Sequence, residues 1–133
     1  MACIHSKNTR PEVALGRILR RNKIKFRRHY KISGSPDIAI NSRKIAIFVD
    51  GDFWHGHNWK LRGLKSLQAE LASYNKFWAN KIRNNIKRDI RTNKELRKND
   101  WKVLRFWESD LKRKPDMIIN KILRVYRARR PAA

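Results

Sequence analysis

Residues 37–57, "DIAINSRKIAIFVDGDFWHGH", decide the fold. Two short runs rich in Ile, Val and Ala, at 37–40 and 44–49, are joined by "NSR", a turn composition. The second run is apolar at successive positions rather than alternate ones, which marks a central strand covered on both faces. The pair therefore reads as an antiparallel hairpin. Its open end carries Asp37 at the start of one strand and Asp50 at the end of the next. There the apolar run stops, and "DGDFWHGH" sets two acids, two aromatics and two histidines within eight residues.

The elements on either side follow from period and punctuation. "TRPE" at 9–12 has capping-box spacing between Thr9 and Glu12, and Pro11 suits a first turn. Leu15, Ile18 and Leu19 give one apolar face, so the spacing predicts a helix over 10–22. "KFRRHYKI" at 25–32 alternates and predicts a strand, broken by "GSP" at 34–36. Residues 51–74 are irregular. A long helix is predicted from Phe77 to about Lys98, with Trp78, Ile82, Ile86 and Ile90 spaced by four. "WKVLRFW" at 101–107 predicts a strand, and Pro115 opens a helix carrying Ile118, Ile122 and Tyr126. The expected order is α-β-β-β-α-β-α around a mixed central sheet, an α/β chain.

The length of 133 residues suits a single domain spanning 1–133, and 41% hydrophobic residues suffice for a core. The basic tail from about 127 to 133 is expected to be flexible. Lys and Arg number 34 against 11 Asp and Glu, a formal charge of +23. That excess implies a polyanionic partner, most simply double-stranded DNA. No apolar run is long enough to span a membrane and no signal-peptide core opens the chain, so a cytoplasmic, nucleoid-associated location is expected. Cys3 is the only cysteine, which excludes an intrachain disulfide framework and a cysteine-rich zinc site.

Two carboxylates at adjoining strand ends, Asp37 and Asp50, can hold a hard cation such as Mg²⁺. Such an ion polarises a phosphodiester and acidifies a bound water. His55 lies a few residues beyond and can act as general acid or base. Either aspartate alone is as easily a turn-forming carboxylate. Both together, beside His55 in a chain of this charge, favour a catalytic site. Trp54 stands in a polar, Gly-flanked loop and is expected to be exposed. Trp78, in line with Ile82, Ile86 and Ile90, suits core packing nearly as well. Lys81, Arg88 and Asp89, on the basic helix, are candidates for contact with DNA. His5 and His29 have no distinguishing context.

"SKNTRPE", "PDI" at 36–38, "FVDGDFWHGH" at 48–57, "FWANKIRNNIKRD" at 77–89 and "WKVLRFWE" at 101–108 occur in this order. Together they closely resemble the very short patch repair (Vsr) DNA mismatch endonucleases, over about residues 4–110. The resemblance implies the restriction-endonuclease-like PD-(D/E)xK fold. It also implies a Mg²⁺-dependent enzyme that nicks 5′ to the thymine of a T:G mismatch, acting on double-stranded DNA and expected to be a monomer. By the same resemblance Asp37 is the metal-binding aspartate and the Val49 backbone carbonyl completes the metal site. His55 is the catalytic histidine, and Glu12 is an acid near the site. Phe53, Trp54 and Trp78 are aromatics that wedge into the base stack. Asp50 stands where relatives have His or Asn, and is expected to act as a second metal ligand.

Relatives of this kind hold a structural zinc through cysteines and a histidine. Here Asp52, Trp59 and Ser109 stand at the cysteine positions and only His57 remains, so no structural zinc is expected. The loop is expected to be held by packing, with Trp59 a candidate, or ordered by DNA. Two other functions fit the same charge: a DNA-binding module of this fold that has lost catalysis, and a nuclease of this fold with another DNA substrate. Asp37, Asp50, His55 and Glu12 favour an enzyme over a binder, because binding alone needs none of them together.

Overall fold

The computed structural model describes residues 11–131. Thr9 and Arg10 of the expected first turn, and Cys3 and His5, lie outside those residues. Helix α1 (Pro11–Arg21) has Glu12 in its first turn and Arg20 and Arg21 in its last, both complementary to the helix dipole. Then come β1 (Arg27–Arg28), β2 (Ile38–Ile40), a 3₁₀ turn over Asn41–Arg43 and β3 (Ile45–Asp50). Two short helices follow, α2 (Asn58–Leu61) and α3 (Leu67–Ala72), in the stretch that the sequence left irregular. The long helix α4 (Lys76–Lys98) leads to β4 (Lys102–Trp107), α5 (Glu108–Arg113) and α6 (Pro115–Ala128). Among the described residues no helix is long and apolar enough to cross a membrane.

The four strands form one mixed sheet in the order β1-β2-β3-β4. β1 with β2 and β2 with β3 are antiparallel, and β3 with β4 is parallel. The hairpin is as the sequence predicts, with "NSR" as its turn and Lys44 in the left-handed region at φ 51°. The strand expected over 25–32 shrinks to Arg27 and Arg28, both exposed at the sheet edge. His29 takes φ 50°, which ends the extended run. A polar edge strand has no partner beyond it to enforce regularity.

Alternation along β3 divides the core. Ile45 and Ile47, with Leu104 and Phe106 of β4, pack against Leu15, Leu19, Leu111, Ile118 and Ile122 from α1, α5 and α6. Ala46 and Phe48, with Val103, pack on the other face with Leu96 of α4. A smaller third cluster, Leu71, Ala79 and Ile82, takes up Phe53, Leu67, Tyr74 and Ile86 and seats the loop after β3 on α4. The C-terminal helix runs through Ala128, and Arg129 donates to the carbonyls of Arg43 (2.8 Å) and Asp100 (2.6 Å). The start of the basic tail is therefore helical and anchored, because backbone carbonyls just beyond β2 and α4 accept from Arg129.

Candidate active site

The sheet's alternation carries Asp50 onto the same face as Phe48, toward α4. The parallel register sets Phe48 opposite Arg105 and Asp50 opposite Trp107, so Arg105 projects beside Asp50. On α4, the residues turned toward this face are Asp89, Thr92 and Asn93. Asp89 and Thr92, together with Gly34, Asp37, Val49, His55 and Arg88, line a cleft of about 350 Å³.

His55 enters this cleft from the loop. Its Nδ1 is hydrogen-bonded to Asp89 Oδ2, and its Nε2 lies 3.9 Å from Asp50 Oδ1. The next residue, Gly56, has φ +76°, and a Cβ there would stand 2.9 Å from Leu67 Cδ1 and 3.0 Å from Ile86 Cδ1. Only glycine allows the chain to pass this close to α4 while presenting His55 on one side and His57 on the other. Burial pulls the His55 pKa down, but the bond to Asp89 and the charge of Asp50 outweigh it, and the imidazole is held above its usual range. Asp50, Asp89 and His55 can bring one ligand atom each within 4.8 Å of one another, the only such acid–histidine group among the described residues.

Asp50 does not face Asp37 as an open pair of carboxylates. Arg105 Nη1 donates to Asp50 Oδ1 at 2.9 Å and to Oδ2 at 3.2 Å. Burial still raises the Asp50 pKa, with Arg105 and His55 partly offsetting it. Asp37 precedes β2, and its Oδ2 accepts the Val49 N–H at 2.7 Å. Its pKa is also raised, first by burial and further by the nearby Glu12 and Asp50. Glu12 thus acts electrostatically on Asp37. Val49 lines the cleft beside Asp37.

Beyond His55 the aromatics form one assembly. Phe53 meets Trp54 edge-on at 4.9 Å between ring centres, and Trp54 and Trp78 lie 5.5 Å apart. Phe77 adds to Trp78 at 5.0 Å. Trp54 is 41% exposed, Trp78 36% and Phe77 63%. Trp78 is therefore a surface ring rather than a core one. Phe53 differs: it packs into the cluster under the loop. Lys81 Nζ lies 5.6 Å from the Trp54 ring and 5.9 Å from that of Phe77, while Arg88 lines the cleft and donates to Asn85 at 2.9 Å.

The positions that the resemblance assigns to zinc ligands include Asp52, His57 and Ser109, which are tied together without thiolates. His57 Nδ1 is 2.6 Å from Asp52 Oδ1, and Ser109 donates to Asp52 from its hydroxyl at 2.7 Å and its N–H at 3.2 Å. The His57 ring stacks on Trp107 at 4.1 Å and 3°. Burial favours a neutral Asp52, but the bonds from His57 and Ser109 prevail and its pKa is lowered. Trp59, expected to hold the loop by packing, holds it through its N–H instead. That group donates at 2.6 Å to Glu70, which is fully buried and also accepts from Tyr74 at 3.0 Å. These donors do not fit a tetrahedral zinc site: they are one carboxylate, one imidazole and a hydroxyl, already spent on each other.

The sequence reading offers Asp89 as a DNA contact, whereas the structure makes it the partner of His55, and it gives no role to Arg105 or to Asn93, which supports Arg105. Each had a signal. Ile82, Ile86, Asp89, Asn93 and Leu96 follow the 4-3-4-3 spacing of one helix face, so two polar residues sit on the inward stripe. Arg105 interrupts an apolar strand, where a charge must find a partner.

The family model described as DNA mismatch endonuclease Vsr matches residues 1–61. The type II nicking enzyme V.NmeDIP of Neisseria meningitidis serogroup C is 36% identical over 123 residues, 92% of this chain and 80% of the relative. V.HpaIIP of Haemophilus parainfluenzae, also a type II nicking enzyme, is 37% identical over 112 residues, 84% of this chain and 76% of its own. The DNA mismatch endonuclease Vsr of Escherichia coli K12 is 31% identical over 113 residues, 84% of this chain and 69% of its own.

Proposed function

The chain belongs to the Vsr family and is a DNA endonuclease, and from that premise we propose that it cuts one strand of double-stranded DNA 5′ to the thymine of a T:G mismatch, with Mg²⁺ as cofactor. The observation that carries this reading is His55, fixed by Asp89 in a cleft that Asp37 also lines, and next in the chain to the exposed ring of Trp54. An acid–histidine pair that lines the same cleft as Asp37 suits an enzyme better than a pure binder. The α-β-β-β-α-β succession supports a single domain of the PD-(D/E)xK fold over 1–133, and we read it as a cytoplasmic monomer that associates with the nucleoid.

Asp37 fits a Mg²⁺ site: among the described residues its Oδ1 carries no hydrogen bond, and it offers the hard oxygen this ion prefers. With the Val49 carbonyl it forms the candidate metal position. When bound, the ion supplies charge against the scissile phosphate and lowers the pKa of a coordinated water. His55 moves the proton: Asp89 holds Nδ1, which leaves Nε2 toward the cleft as the acid–base atom. Glu12 adds negative charge beside Asp37, which strengthens the attraction for a cation. Trp54 and Trp78 enter the base stack, where a weakly paired T:G step lowers the cost of unstacking. Lys81 and Arg88 take phosphates, and +23 overall supplies the nonspecific affinity.

End-labelled duplexes with one T:G mismatch, and matched T:A controls, test this in Mg²⁺ and in EDTA. A single cut on the thymine strand, confined to the mismatch and to Mg²⁺, is expected. Equal cutting of both duplexes removes the mismatch reading, and full activity in EDTA removes the metal.

A further inference from the structure

Arg105 is the least expected side chain of the cleft. It rises from the middle of β4, between Leu104 and Phe106, which both face the opposite core. Its guanidinium carbon sits 4.0 Å over the Phe48 ring. Nε donates to Asn93 Oδ1 at 2.7 Å, which fixes the plane of the group from the α4 side. Nη1 then reaches both oxygens of Asp50, at 2.9 and 3.2 Å, and lies 3.6 Å from Asp89 Oδ1. The side chain is only 17% exposed. A ring below, an amide on one edge and two carboxylates on the other define one orientation. A lysine, with a single charged point, cannot reproduce it.

The two carboxylates held by Arg105 are those that flank His55, and the three residues gather their ligand atoms within 4.8 Å. Such a group attracts a divalent ion unless another cation occupies it. The guanidinium of Arg105 is that cation.

We propose that Arg105 is a positioning residue that serves as the built-in cation of the Asp50–His55–Asp89 group: it fixes both carboxylates as the frame of His55 and keeps them from ligating a divalent metal, which is left to Asp37. The inference rests on reading His55 as the proton-transfer group. It reassigns Asp50 from metal ligand to charge partner. Without the guanidinium, Asp50 and Asp89 turn to the metal, and His55 becomes a ligand instead of an acid–base group.

The test is Mn²⁺ binding to the DNA-free protein, followed by electron paramagnetic resonance, with circular dichroism to verify folding. Arg105→Met should bind Mn²⁺ more tightly by roughly tenfold or more, the scale on which groups behind metal ligands tune affinity. Adding Asp50→Asn to that variant should return the affinity toward wild type. Asp50→Asn alone should leave it unchanged. In parallel, saturating DNA should show Arg105→Met lowering kcat by on the order of a hundredfold with little change in KM, as for a misplaced catalytic group. Arg105→Lys should recover only part of the rate. Unchanged Mn²⁺ affinity in folded Arg105→Met, or loss of Mn²⁺ binding in Asp50→Asn, overturns the proposal. Should Arg105→Met not fold, Arg105→Gln takes its place with the same expectations. Because Mn²⁺ binding is measured without DNA, failure of the wild type to nick a T:G duplex refutes the proposed function and not this assignment.

Discussion

His55 and Asp89, 34 residues apart in the chain, are joined by a hydrogen bond between imidazole Nδ1 and carboxylate Oδ2. The bond spans from the loop after β3 to the middle of α4, so the imidazole is referenced to the longest helix of the fold. His55→Ala should reduce nicking by about 10²–10⁴-fold, the usual worth of a positioned acid–base group. Asp89→Asn should also slow single-turnover nicking while leaving duplex affinity close to wild type, since it removes orientation and not charge attraction. Wild-type rates in either folded variant would show that the pair is structural.

Much of this frame was legible. Ile-rich runs around "NSR" give β2 and β3, and the apolar run of β4 gives its parallel neighbour, because strands buried on both faces leave a continuous signal. The inward face of α4 is not the one that the four-residue spacing predicts. Steps of four from Trp78 to Ile90 advance about 40° each around a 3.6-residue helix, so the stripe drifts into solvent. Ile90 is accordingly 60% exposed, and Asp89 occupies the inner face instead. The helices α2 and α3 are too short to carry a period, and they are held by Glu70, a buried carboxyl group that accepts from the Trp59 N–H and the Tyr74 hydroxyl. Contacts of that kind depend on tertiary placement and leave no pattern in the sequence. The hairpin brings Asp37 and Asp50 to one cleft, but the arginine that binds Asp50 comes from another strand.

The aromatic residues should separate by role. Trp54 and Trp78 are exposed, whereas Phe53 is packed against Leu71, Ala79 and Ile82. Trp54→Ala with Trp78→Ala should leave thermal stability nearly intact and erase about 1–3 kcal/mol of preference for a T:G over a T:A duplex. Phe53→Ala should instead destabilise the fold, by about 1–3 kcal/mol for a partly buried ring. The measurements are competition binding with paired duplexes and chemical denaturation. A tryptophan double variant that keeps its mismatch preference would place recognition elsewhere.

The Asp52–His57–Ser109 clasp should make the loop independent of zinc. Elemental analysis of the purified chain should find no stoichiometric zinc, and strong chelators should leave the unfolding temperature unchanged. Asp52→Ala should cost about 1–3 kcal/mol at pH 7, since it strands the donors of His57 and Ser109. The pH dependence has a definite sign. Folding lowers the Asp52 pKa below its ordinary 3.8, so its stabilisation is fully present above that value and is lost as pH falls through the depressed native one. The deficit of Asp52→Ala relative to wild type should therefore narrow below about pH 3.8 and stay constant from pH 5 to 7. Equal stability of the two proteins at pH 7, by urea denaturation, would mean that stacking of His57 on Trp107 holds the loop without the clasp.

Asp37 has two duties that one pair of variants can separate. Its Oδ2 accepts the Val49 N–H at 2.7 Å, a structural bond between the start of β2 and the end of β3. Its other oxygen is the proposed ligand for Mg²⁺. Asp37→Asn keeps a carbonyl oxygen for the Val49 N–H and loses the anionic charge a hard cation needs. Asp37→Ala loses both. Folding should therefore suffer more in Asp37→Ala, by about 1–2 kcal/mol relative to Asp37→Asn, the worth of one buried hydrogen bond. Mg²⁺-dependent nicking should be abolished equally in both. Duplex affinity should change little, because a net charge of +23 still draws the phosphates, and neutralising an acid only adds to it. The assays are urea denaturation, nicking across a Mg²⁺ titration, and binding to a mismatched duplex in EDTA. If Asp37→Asn nicks at the wild-type rate at ordinary Mg²⁺ concentrations, Asp37 serves only to join the two strands, and the metal must be held by other oxygens of the cleft.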